Sequence, residues 1–116
     1  MRTKIGLLAM FILFTISNNT FAFALKPPAS ISFRTSLLDT STKVMRVTNR
    51  SATEALVMHL SVRNHKYNQH ATYRFTVKPT KTYEIGSLEM GWCFEKGETY
   101  SLTADGYLLP IIGTVP

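Results

Sequence analysis

Leu56, Met58, Leu60 and Val62 alternate with Val57, His59, Ser61 and Arg63 along one unbroken stretch of the chain. In an extended backbone successive side chains point to opposite faces, so a period of two describes a strand with one face buried and the other wet. Tyr73, Phe75 and Val77 repeat the pattern against Thr72, Arg74, Thr76 and Lys78, with the aromatic and β-branched residues that suit a pleated surface. Further strands are expected over 30–35, 43–48, 81–88, 99–104 and 107–112. That is about seven strands at the short, regular spacing of a two-layer sandwich. No helical period of useful length follows the first two dozen residues, and no internal repeat is present.

The intervening residues are turn formers. Asn49-Arg50-Ser51, the segment 64–70, Lys78-Pro79-Thr80, Lys96-Gly97-Glu98 and Asp105-Gly106 combine fixed φ at proline, positive φ at glycine and local hydrogen bonding at asparagine and aspartate. Asp105-Gly106 between two apolar stretches predicts a two-residue hairpin joining the last two strands. Pro110 cannot donate to a ladder, which places the final strand at a sheet edge. Pro27-Pro28 makes 25–29 an extended lead-in.

The N-terminus reads as an export leader. Arg2 and Lys4 precede an apolar run from Ile5 to Ile16, Ser17-Asn18-Asn19 ends it, and Ala22-Phe23-Ala24 offers small residues for cleavage. The run is shorter than the roughly 20 residues that cross a bilayer, so a cleaved signal over 1–24 is expected, followed by one domain over 25–116. The mature product is expected in the periplasm or outside the cell, with no membrane span; the leader and composition leave the kingdom open, with bacterial export favoured. Loss of Arg2 and Lys4 lowers the formal charge from +6 to +4. The remaining basic residues are scattered and lack the dense runs of a nucleic-acid binder, although a mild positive excess favours an acidic partner. Cys93 is the chain's only cysteine, so an intrachain disulfide is excluded and stability rests on packing. It also lies far from the leader's end, where a lipoprotein would carry its acylated cysteine. Asn49-Arg50-Ser51 fits the N-glycosylation acceptor pattern.

Two stretches, Val77-Lys78-Pro79-Thr80-Lys81-Thr82-Tyr83-Glu84-Ile85 and Lys96-Gly97-Glu98-Thr99-Tyr100-Ser101-Leu102, resemble the tyrosine corner of immunoglobulin-like and fibronectin type III domains. Counting strands puts the sixth at Tyr100, so the resemblance assigns the corner to Tyr100, with Tyr83 in an ordinary turn. It implies an all-β, immunoglobulin-like β-sandwich. The rhythm Gly91-Trp92, Gly97-Glu98, Tyr100 together with Val47-Thr48-Asn49-Arg50-Ser51 is also similar to small exported bacterial β-sandwich domains. The sequence departs from antibody domains in having no intersheet cysteine pair and no early core tryptophan. Neither resemblance implies an activity, because function is carried by sites and not by folds.

The candidate chemistry is sparse. Trp92 and Phe94 share a parity and are expected to face inward at a strand bend between Gly91 and Gly97, leaving Cys93 on the other face. Trp92, Phe94, Gly97, Tyr100 and Gly106 are the expected structural residues. Cys93 has no histidine nearby in sequence to activate it as a nucleophile, and Glu89, Glu95 and Glu98 read as separate solvated carboxylates. Met45, Met58 and Met90 belong with the core by alternation. His59, His65 and His70 are the one histidine set that could serve a metal such as copper or zinc, with His59 outward on its strand and the others in the turn that follows. No phosphate-binding glycine loop, nucleophile elbow or His-Glu-x-x-His is present.

These residues describe a non-enzymatic exported binding or accessory module, without a cofactor, that recognises a protein or envelope partner through Trp92, Tyr67 and His70. Two alternatives stand beside it. One is a periplasmic metal-binding protein using His59, His65 and His70; the other is an inhibitor of a secreted or periplasmic hydrolase that wedges in the 64–70 loop or the Trp92 turn.

Overall fold

A computed structural model describes residues 25–116; the expected leader over 1–24 lies outside the described residues. The elements run β1 (Ala29–Thr35), β2 (Lys43–Asn49), β3 (Leu56–Asn64), β4 (Gln69–Val77), β5 (Thr82–Ile85), the one-turn helix α1 (Ser87–Met90), β6 (Thr99–Ala104) and β7 (Ile111–Thr114). They form two antiparallel sheets, of order β1-β2-β5 and β4-β3-β6-β7. The expected seven-stranded all-β sandwich is therefore the fold. Among the described residues no helix is long and apolar enough to cross a membrane.

Alternation does the packing. Leu56, Met58, Leu60 and Val62 on β3 are buried while His59, Ser61 and Arg63 stay exposed. Opposite them, Met45, Val47 and Ile85 of the three-stranded sheet are fully buried. Aromatic rings close both flanks between the layers. Phe33 of β1 meets Phe94 edge-on at 5.9 Å and Tyr100 of β6 at 5.6 Å. On the other flank Tyr83 of β5 lies 5.1 Å from Phe75 of β4, and its hydroxyl hydrogen-bonds that of Tyr73 at 2.7 Å.

Buried polar groups are satisfied, as an interior without cross-links requires. Asn49 is fully buried; its amide donates to the carbonyls of Glu54 (2.7 Å) and Val77 (3.0 Å), and its oxygen accepts from the Ser51 amide (2.9 Å). The acceptor pattern at Asn49 is thus a structural joint between β2, the β2–β3 connection and β4, with no free amide in the folded domain to carry a glycan.

Several boundaries differ from expectation. The fifth strand stops at Ile85, where Glu89 Oε1 accepts from the Gly86 amide at 2.8 Å and opens α1 in place of residues 86–88 of the strand. The last strand begins at Ile111, after Pro110, because Asp105-Gly106 turns the chain without closing a two-residue hairpin; the connection spans 105–110. It does end on a sheet edge as β7. His70 lies on β4 and not in a loop, since Asn64 Oδ1 accepts from the Tyr67 amide (3.0 Å) and Asn68 adopts φ of 51°, closing the turn early. The tyrosine-corner hydrogen bond is not formed at Tyr100 or Tyr83 among the described residues: Tyr100 packs over Gly113, and Tyr83 bonds Tyr73.

Candidate functional site

The connection between β1 and β2 is fixed by its own polar side chains. Asp39 Oδ1 accepts from the Ser41 amide (3.0 Å) and hydroxyl (2.7 Å), the Asp39 carbonyl accepts from the Thr42 amide and hydroxyl, and the Ser36 amide bonds the Thr42 carbonyl at 3.0 Å. The Ser41 bonds hold the Asp39 carboxyl below the usual carboxylate range. With the backbone committed in this way, the two apolar residues of the loop have no route to the core. Leu37 is 90% exposed and Leu38 79% exposed.

Across from this loop, α1 presents Leu88, which is 85% exposed. The three leucines line a cleft of about 280 Å³ on the outer face of the three-stranded sheet, with Val44 and Gly86 among its other walls. Its polar border includes an ion-pair cluster: Glu84 receives Arg34 Nη2 at 2.8 Å and Arg34 Nε at 3.1 Å, and its second oxygen also meets Arg46 Nε at 3.1 Å. The Arg34 hydrogen bonds, followed by the charges of Arg34 and Arg46, keep Glu84 below the ordinary carboxylate range. Cys93 is free and exposed, and it also lines the cleft.

Of the residues singled out from sequence, Cys93 and Glu89 line this cleft and the others lie elsewhere. Phe94 is fully buried, as parity requires, and Cys93 faces out. Trp92 is half-buried against the core, with Nε1 donating to Glu98 Oε1 at 3.0 Å. The bend around it is α1 and a loop, with Gly97 at φ of 92°, in place of a strand bulge. Glu98 corrects the expectation of solvated carboxylates: it is 3% exposed and accepts from Trp92, the Glu95 amide and Asn64. Tyr67 is exposed beneath Lys66 Nζ at 5.2 Å. Met45 and Met58 are fully buried.

His59 Nε2 lies 3.1 Å from Asp105 Oδ1, His65 Nε2 lies 3.0 Å from Thr99 Oγ1, and His70 stands opposite Arg63 in the β3–β4 register. Among the described residues no group of three or more histidine, cysteine or acidic side chains is placed to hold a metal ion. Trp92, Tyr67 and His70 do not line the leucine cleft. The signal for Leu37 and Leu38 was an apolar pair inside the polar run Thr35-Ser36 to Asp39-Thr40-Ser41-Thr42, where period-two patterning breaks. Leu88 had none, because it read as the end of a strand.

Compared with protein-family models, curated proteins and solved structures, the chain has no match.

Proposed function

We propose that this domain is a non-catalytic binding module, exported to the periplasm or beyond, that seats an apolar segment of a partner protein in the Leu37–Leu38–Leu88 cleft. The observation that carries this reading is the convergence of three leucines, each more than three-quarters exposed, on one cleft with a charged border. An apolar centre ringed by polar groups is the anatomy of a recognition patch, and burying a leucine side chain gains roughly 1.5–3 kcal/mol. A volume of about 280 Å³ falls just under the range of small-molecule pockets and suits one or two inserted side chains. Two antiparallel sheets of three and four strands support the finer reading of an immunoglobulin-like or fibronectin type III-like domain, a scaffold that commonly presents loops to partners.

Cys93 gives the test. An environment-sensitive fluorophore on this single thiol reports occupancy of the cleft directly. Titration with short peptides carrying leucine or phenylalanine anchors should shift its emission, serine-substituted versions should not, and Leu88→Asp should abolish the response. A flat response to every apolar peptide would remove this reading.

A further inference from the structure

The outer face of the four-stranded sheet carries arginine, histidine and hydroxyl side chains in register. Register places Arg74, His59 and Thr103 in one row across β4, β3 and β6, and His70, Arg63 and Thr99 in another. Opposed residues of an antiparallel pair share a face, so both rows point outward together. Between them runs a row of hydroxyls, Thr72, Ser61 and Ser101. Two depressions cross this face. One, of about 320 Å³, is lined by His59 and Arg74, the other, of about 600 Å³, by Arg63 and His65, and they share Ser61 and Ser101. Together they make one continuous trough over the sheet.

Its charge is unbalanced. On the opposite sheet Arg34 and Arg46 both meet Glu84, whereas Arg63 and Arg74 have no carboxylate partner among the described residues. Among the described residues the carboxylate beside the trough is Asp105, which engages His59 at its end. Glu95 lies past the other end, in a depression with His65, Lys66 and Lys96. We propose that this trough is a docking surface for an acidic polysaccharide, a chain whose carboxylate or sulfate groups meet Arg63 and Arg74 and whose ring hydroxyls meet the serine and threonine row. Arg63 Nη1 makes one long contact to Asn68 Oδ1 at 3.4 Å, and guanidiniums free of a carboxylate recognise such anions by charge-assisted hydrogen bonds. The outward positions of these rows carry no phenyl, phenol or indole on which a nucleic-acid base would stack. Ile112 of β7, 71% exposed beside Ser101, is the exposed large apolar side chain lining the trough, one residue where a lipid-seated surface uses an extended apolar face. The polysaccharide and the leucine cleft occupy opposite faces, so both are engaged at once without competition.

The test is a titration of the purified protein with polygalacturonate and with heparin, against neutral dextran, followed by backbone amide NMR. Shifts should concentrate on the outward residues of β3, β4 and β6, with none for dextran. Arg63→Ala with Arg74→Ala should weaken binding about tenfold or more, as the loss of two charge-assisted contacts implies. Arg34→Ala with Arg46→Ala, which removes equal charge from the other face, should change it less than about twofold. Leu88→Asp should leave it unchanged, which separates this result from the fate of the cleft. Equal losses from both arginine pairs, shifts scattered over the domain, no binding of either acidic chain, or equally tight binding of single-stranded RNA or phosphatidylglycerol vesicles would each overturn the proposal.

Discussion

The amide of Asn64, at the end of β3, donates to Glu98 Oε2 at 2.7 Å, and both side chains are buried. Because Glu98 Oε1 also accepts from Trp92 Nε1 and from the Glu95 amide, one carboxylate ties the four-stranded sheet to the α1–β6 connection. Glu98→Ala leaves three donors without an acceptor and should cost roughly 2–4 kcal/mol. Glu98→Gln keeps one carbonyl oxygen for two of them and should cost about half as much. Urea unfolding followed by Trp92 emission measures both, and equal losses would show that the charge, rather than the acceptor geometry, holds the joint.

The hydroxyl pair Tyr73–Tyr83 predicts weakness in alkali. The hydrogen bond that the Tyr83 hydroxyl donates to Tyr73, with desolvation behind it, pushes the Tyr83 phenol up to about 12 from its ordinary 10. The folded state therefore holds a proton that the unfolded chain releases. Its stabilisation is complete below pH 10 and is lost as pH rises through about 12. Thermal melts should fall between these values, and Tyr83→Phe, which has no phenolic proton to lose, should flatten that fall. An unchanged slope in the variant would place the alkaline sensitivity elsewhere.

What the sequence made legible follows from what period two can encode. It located β3 and the inward end of β4 because each carries a buried face along most of its length, and the parity of Trp92 and Phe94 gave Cys93 its outward direction. It misplaced β7, because Tyr107 to Ile112 is apolar without alternating and Pro110 blocks an earlier start. The burial of Glu98 was hidden as well, since a carboxylate's partners, here Asn64 and Trp92, come from other segments. The leucine cleft escaped for a related reason: pattern says which residues are apolar, while only the hydrogen bonds around Asp39 reveal that Leu37 and Leu38 are held away from the core.

Gly113 on β7 makes room for an aromatic ring. A Cβ there would stand 2.5 Å from Tyr100 Oη and 2.7 Å from its Cζ, and the Tyr100 ring is itself braced by Phe33 at 5.6 Å. Gly113→Ala should therefore destabilise the domain by about 1–3 kcal/mol through overpacking. Adding Tyr100→Leu should recover part of that loss, because the smaller side chain vacates the contact. Differential scanning calorimetry of the single and double variants checks the coupling, and simple additivity would mean that the ring swings aside freely.

Leu37, Leu38 and Leu88 are all more than three-quarters exposed. Removing surface side chains that make few packing contacts normally changes stability by less than about 0.5 kcal/mol, so Leu37→Ser with Leu88→Ser should melt within about 4 °C of the parent. The same pair should lower the binding of an apolar dye such as anilinonaphthalene sulfonate, since the cleft they line would turn polar. A marked drop in melting temperature would instead assign the leucines to the fold, because it would mean that the 36–42 loop and α1 need them to hold their places against the three-stranded sheet. Unchanged stability with lost dye binding leaves recognition as the reason for carrying three exposed leucines on one face.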